Sequence, residues 1–466
     1  MTRQPDVLIV LSDQQRPDTI GSYGQALPTT PVLDSLADEG TVFDQAFTVQ
    51  PVCGPARASI QTGRVPTEVG CWRNGLALPA GAETMATRLA TLGYRTGYVG
   101  KWHLASDRGP RLPPDRNPAR FEKAPVPPER RGGYTDTWVA ADALELTSGA
   151  YRGNVWDERG EEVALHGYRV DAIADLAVDR LDRLAQDDRP FLLFVSFLEP
   201  HHQNDRFRTI APRGTTRAFR DFVVPGDLEG TLGDWRWNYA ATLATCRSID
   251  SNVGRLLDAL RGHGRFDDAL VIYASDHGSH FRTRNLEYKR SCHDASIRIP
   301  LIVRGPGFDA GRRSARLVTH LDLLPTIVTA AGGENPGLAG RPLQESESAD
   351  DWRDEVLVQI SESQIGRALR TATHTFSAAA PGWNPLRGHL APAADTYVET
   401  HCYDLASDPY QRHNLSGDRA SKGLRQALAD RLADEIARVE GTRPTIRLQR
   451  SGRHRGAAPS GSLRAR

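Results

Sequence analysis

A chain of 466 residues, 39% of them apolar, is long enough to bury a large core, and its formal net charge of zero offers no basic surface for nucleic acid or an anionic membrane. Five cysteines, odd in number and without a CxxC pair, argue against a disulfide framework or a thiolate zinc site. No run of about 18 apolar residues predicts a membrane span, and the start, MTRQPDVLIVL, lacks the charged lead and long apolar stretch of a secretory signal; the expectation is a cytoplasmic protein.

Along the chain, short apolar runs alternate with amphipathic stretches. Residues 6–11, 95–99, 191–197, 269–274 and 299–304 read as strands, with helices predicted at 32–39, 83–92, 168–186, 234–262 and 321–332. The strand runs are continuously apolar, which suits strands covered on both faces. The alternation predicts a large, mostly parallel sheet sandwiched by helices, an α/β class. Residues 105–135, crowded with Pro, Arg and Gly, read as a long surface loop or a lid near the site. After about Glu334 the pattern changes. Segments 355–361, 367–377 and 396–403 look like antiparallel strands, followed by a helix near 419–440. The expected division is a catalytic domain over 1–334, a smaller α+β domain over 335–442 and a disordered basic tail over 443–466.

Two of the strand runs end alike. Residues 6–11 lead into Ser12-Asp13-Gln14, and 269–274 into Ser275-Asp276-His277. Ligands of open α/β sheets bind beyond the carboxyl ends of strands. Two carboxylates brought together there repel unless a cation lies between them. Asp13 and Asp276 are therefore candidate metal ligands, with Gln14 and His277 beside them; oxygen ligands suit calcium or magnesium, and an imidazole admits manganese or zinc. Capping of the next helix is the alternative role for each acid.

Between them lies Pro51-Val52-Cys53-Gly54-Pro55-Ala56-Arg57-Ala58-Ser59-Ile60-Gln61-Thr62-Gly63. Pro55 suits the first turn of a helix and Gly63 its end. Cys53 then lies at a helix N-terminus, where free N–H groups favour a thiolate, with Arg57 one turn on. The basic residues carry a second signal. Lysine occurs only at 101, 123, 289 and 422 among 58 basic side chains, so a retained lysine points to a need for an ammonium rather than a guanidinium.

The run Cys53-x-Pro55-x-Arg57, with Ser59 and Gly63, resembles the signature of the formylglycine-dependent sulfatases, of the alkaline phosphatase-like superfamily. Gly100-Lys101-Trp102-His103, Pro200-His201, Ser275-Asp276-His277-Gly278 and Tyr288-Lys289 with Ser296–Pro300 resemble further segments of that family, in its order; the matches span roughly residues 6 to 415. The resemblance implies an alkaline phosphatase-like fold and hydrolysis of a small-molecule or saccharide sulfate ester. It further implies oxidation of Cys53 to formylglycine by a formylglycine-generating enzyme, and one divalent cation, calcium first, with manganese or magnesium as alternatives. The implied catalytic set is Cys53, Arg57, Lys101, His103, His201 and Lys289. The metal would be held by Asp13, Gln14, Cys53, Asp276 and His277, and Asn74 and His293 would reach substrate. Two positions depart from the pattern of many members: Gln14 stands where they have a second Asp, and His277 where they have Asn. These resemble the branch of choline sulfatases and phosphonate monoester hydrolases, which keeps phosphonate monoester or phosphodiester hydrolysis as an alternative activity. An inactive, anion-binding relative with an unmodified Cys53 is the third expectation.

Overall fold

The computed structural model describes residues 3–109, 112–204, 206–382 and 387–450. Ten strands form one sheet: β1 (Val7–Asp13), β2 (Thr41–Phe47), β3 (Arg95–Lys101), β4 (Thr137–Ala141), β5 (Arg152–Trp156), β6 (Glu162–His166), β7 (Phe191–Pro200), β8 (Leu270–Ser275), β9 (Leu301–Arg304) and β10 (Arg312–Thr319). Their order is β10-β2-β9-β8-β1-β7-β3-β4-β5-β6. The five strands from β8 to β4 run parallel, as expected, whereas β9, β5 and β6 pair antiparallel and make the whole sheet mixed.

Both faces are covered, which explains why the central strands read as unbroken apolar runs. Leu8 and Val10 of β1 pack on one side with Leu193 and Val195 of β7, under the helices Pro31–Asp38, Arg169–Ala185 and Trp235–Gly262. Val7, Ile9 and Leu11 pack on the other side with Leu192 and Phe194, under Cys53–Thr62, Met85–Thr91 and Leu323–Ala330. The helix Arg169–Ala185 turns Val170, Ile173, Ala177, Leu181 and Leu184 inward, a spacing of three and four that makes one apolar stripe.

A second sheet follows: β11 (Glu355–Ile360), β12 (Gly366–Thr371), β13 (His374–Ala379), β14 (Thr396–Asp404) and β15 (Thr445–Arg447), in that order. The helix Lys422–Glu440 lays Leu428, Leu432 and Ile436 on it. Its other face meets the large sheet through Val356, Val358 and Ile360, which pack with Phe47, Ile297 and Leu317.

Three expectations need correction. The run 367–377 is two strands, because Thr371 closes a tight turn by accepting from the amides of Thr373 and His374, without the Gly or Asn that announces such turns. The tail expected from 443 contains β15, paired parallel to β14 through Tyr397 and Ile446; residues 451–466 lie outside the described residues. The loop 105–135 has neither strand nor α-helix among its described residues. It is pinned: Asp107 holds Arg116 at 2.9 Å, Arg130 at 3.0 Å and the amide of Ala77 at 3.0 Å. None of its described residues lines the pocket that contains Cys53, which favours the surface loop of the two readings.

Candidate active site

Because β8, β1, β7 and β3 are parallel neighbours, their carboxyl ends converge on one edge of the sheet. Ser12 is in register with Ser275, so the next residues, Asp13 and Asp276, stand side by side. The amide of Gln14, held at a φ of 68°, donates to Asp276 Oδ1 at 3.1 Å, and the amide of Asp276 donates back to Ser12 at 3.2 Å. β3 ends in Lys101, and β7 delivers His201.

The helix Cys53–Thr62 points its first residue at this edge, and Gly63, at a φ of 64°, ends it in the left-handed conformation that closes helices. Arg57 fastens the helix there. It donates to Asp13 at 3.1 Å, to the Lys101 carbonyl at 2.9 Å and to Ser196 Oγ at 2.7 Å, and its Nε lies 3.3 Å from Asp276. Lys101 Nζ reaches Asp13 at 2.8 Å. Lys289 Nζ lies 2.9 Å from both Cys53 Sγ and His277 Nε2.

Charge governs the proton positions. Burial and Asp13 work against ionisation of Cys53, but Lys101, Lys289 and His277 outweigh them and hold the thiol well below its ordinary range. Burial likewise opposes ionisation of Asp13, and Lys101 and Arg57 overcome it. Asp276 is pushed up by burial and then by the charge on Asp13. Burial and His202 keep the His201 ring neutral, and its Nδ1–H donates to the His202 carbonyl at 2.7 Å.

The donor set suits a divalent cation. Ligand atoms of Asp13, Cys53, Asp276 and His277 all lie within 4.8 Å of one another. Gln14 Oε1 and Asp276 Oδ2 are buried without a hydrogen-bond partner, a costly state unless something else claims them. His277 donates Nδ1–H to the Gly278 carbonyl at 3.0 Å, which aims the Nε2 lone pair inward, as metal-binding histidines do.

The pocket beyond these atoms, about 260 Å³, is lined by Cys53, Asn74, His103, His201 and Lys289 among others. Asn74 accepts from the Gly54 amide at 2.9 Å and thereby braces the helix start. His293 is not brought here. Its Nε2 meets Tyr403 at 3.0 Å, and its ring packs against His401 at the seam with the small sheet, because the short helix it precedes turns it away. His202 is stacked between His201 and Tyr288. Sequence reasoning missed Glu145, 3.3 Å from Lys101 Nζ and 4.0 Å from His103 Nε2, because the strand before it, β4, was itself missed. It also missed Glu362 of the small domain, which accepts from the Asn74 amide at 2.7 Å and from Arg290.

The family description "Sulfatase" matches residues 5–333. The chain belongs to the sulfatase family. A second description, the C-terminal part of N-sulphoglucosamine sulphohydrolase, matches residues 285–438 of this sulfatase. An ulvan-active sulfatase of Formosa agariphila is 28% identical over 94% of this chain and 82% of its own. The choline-sulfatase of Rhizobium meliloti is 27% identical over 71% of this chain and 68% of its own. A structure solved with its substrate D-glucosamine-2-N,6-O-disulfate superposes with a TM-score of 0.74 at 21% identity, covering 95% of this chain and 99% of that one, and so shares the alkaline phosphatase-like fold. No helix among the described residues is long and apolar enough to cross a membrane.

Proposed function

We propose that this sulfatase hydrolyses a sulfate monoester, saccharide or small-molecule, to an alcohol and inorganic sulfate, with position 53 as formylglycine and one divalent cation held by Asp13, Gln14, Asp276 and His277. The observation that carries the reading is Cys53 at the start of a helix, within 3.6 Å of Asp13 and 3.3 Å of His277, with two ammonium groups closing the same space. When bound, the cation lowers the pKa of an oxygen at position 53 and neutralises charge on the sulfuryl oxygens. A hydrated aldehyde there offers one hydroxyl to attack sulfur and a second whose deprotonation expels sulfate.

The chain's own groups supply the rest. Arg57 fixes the helix start against both aspartates, so the nucleophile is placed before substrate arrives. Lys101 and Lys289 face the charge that develops on the transferring group; preorganised donors of this kind are worth about 3–4 kcal/mol each. Lys289 is the proton donor in reach of the leaving oxygen, whereas the neutral His201 ring, its Nδ1–H held by a carbonyl, presents Nε2 as a lone pair. His103, across the pocket, accepts the proton of the second hydroxyl. Asp13 and Asp276 carry the oxygens that suit calcium, with magnesium as an alternative, and His277 admits manganese.

Two measurements decide this. Mass analysis of the peptide holding Cys53 should find that the residue has lost hydrogen sulfide and gained one oxygen atom. Turnover of sulfated sugars, choline sulfate, an aryl sulfate and an aryl phosphonate monoester should then favour a sulfate ester. An unmodified thiol, or a preference for the phosphonate, would overturn the reading.

A further inference from the structure

Two carboxylates line the pocket without a part in the proposed chemistry, the exposed Glu287 and the largely buried Glu145. Glu145 lies on the short helix Leu144–Thr147, lines the same pocket as Cys53, and has a side chain only 13% exposed. Its Oε2 is 3.3 Å from Lys101 Nζ yet accepts no hydrogen bond, and its Oε1 is 4.0 Å from His103 Nε2. It is ionised: burial works against the charge, but Lys101 and then His103 pull the carboxyl down to about 2. Lys101 is thereby shared between two carboxylates, Asp13 at 2.8 Å and Glu145 at 3.3 Å. A lysine so shared can offset one negative charge on a ligand better than two.

No structural need accounts for this arrangement. Asp13 alone already pairs Lys101, and a buried acid with an oxygen that accepts no hydrogen bond is a cost to the fold. Its effect falls on the ligand. A sulfate monoester brings one negative charge to this pocket, and a phosphate monoester near neutral pH brings nearly two. The second charge meets Glu145, a largely buried like charge, in the same pocket, and the two repel. We infer that Glu145 is a specificity-determining residue, acting through Lys101 and His103 to select monoanionic esters and to reject dianionic phosphate monoesters. This rests on the proposed ester chemistry for its biological meaning, but the charge preference itself is a binding property.

The test separates the two. In metal-loaded Cys53→Ala protein, which cannot turn over, the affinities of 4-nitrophenyl sulfate and 4-nitrophenyl phosphate are measured by calorimetry at pH 8. They are measured again with Glu145→Gln and with Glu145→Asp. The expected result is that Glu145→Gln tightens the phosphate ester about tenfold more than the sulfate ester, or about 1.4 kcal/mol. Glu145→Asp keeps the original ratio. Equal changes for both esters would make Glu145 a mere support for Lys101, and a ratio that shifts equally in the Asp variant would remove charge as the cause; either overturns the inference. Failure of the proposed function appears elsewhere, as absent sulfate-ester turnover by protein with its native Cys53, and leaves these affinities measurable.

Discussion

Two regions of this sulfatase bury dense charge, and they do so in opposite ways. In and beside the small sheet the arginine–carboxylate pairs close on themselves. Arg367 holds Glu440 at 2.6 and 2.8 Å, and Arg370 holds Asp294 at 3.0 and 2.9 Å. At the carboxyl edge of the large sheet the groups are left open: Gln14 Oε1, Asp276 Oδ2 and Glu145 Oε2 have no hydrogen-bond partner. A satisfied buried network specifies a structure; one with open valences is built for something that arrives later. The ion pairs of the small sheet should therefore govern stability and the edge activity, and mutations can pull the two apart.

The largest effect belongs to the edge. Asp276→Asn should lower turnover of a sulfate ester by more than about a thousandfold. Yet it should not lower the melting temperature of metal-free protein, since it removes one of two buried like charges; a clear drop in calorimetry would contradict the contrast. Next comes the small sheet. Arg367→Ala leaves Glu440 only Gln359 Nε2, at 2.6 Å, and should cost about 3 kcal/mol in urea unfolding, with kcat of the protein that stays folded nearly unchanged.

A pH effect sharpens the same contrast. His401 is half-buried against His293 and Tyr403, and desolvation there, then Arg284, pulls its pKa down to about 4. The folded state thus binds this proton less readily than the unfolded chain, whose histidine titrates near 6.5. Its stabilisation is complete above about pH 6.5 and is lost as pH falls toward 4, amounting to at most about 3 kcal/mol. His401→Asn should flatten that part of the stability curve; an unchanged slope between pH 6.5 and 4 would exclude His401 as its source. The smallest effect is a control on lysine choice. Lys289→Arg should cost about a hundredfold in kcat, whereas Lys422→Arg, at the start of an outer helix, should stay within about 0.5 kcal/mol and leave kcat alone.

Much of the edge was legible because strand ends and chemistry coincide in the sequence. DVLIVL runs straight into Asp13 and ALVIYA into Asp276, so the apolar run gave both the strand and the place where its ligand emerges. The scarcity of lysine marked 101 and 289, both of which the fold brings to Asp13 or Cys53. What stayed hidden lay on elements with weak signals. β2, β5 and β10 carry Asp44, Asn154 and Arg312 on exposed or half-exposed positions, which broke the apolar runs. Glu145 follows a five-residue strand, and Glu362 arrives from the other sheet, so no local pattern tied either to Cys53. Arg367 and Arg370 are buried in ion pairs, a partnership set by residues 73 and 76 positions away.

The seating of β1 has a consequence for how the protein is made. This first strand lies between β7 and β8, so a nascent chain cannot complete its neighbours until about residue 275 has been synthesised. Once it does, Cys53 is 3% exposed and the whole of its helix is buried. On the proposed chemistry, the maturing enzyme must therefore reach this thiol during translation or before the central sheet closes, and a variant that folds faster than it is oxidised would accumulate well folded and inert.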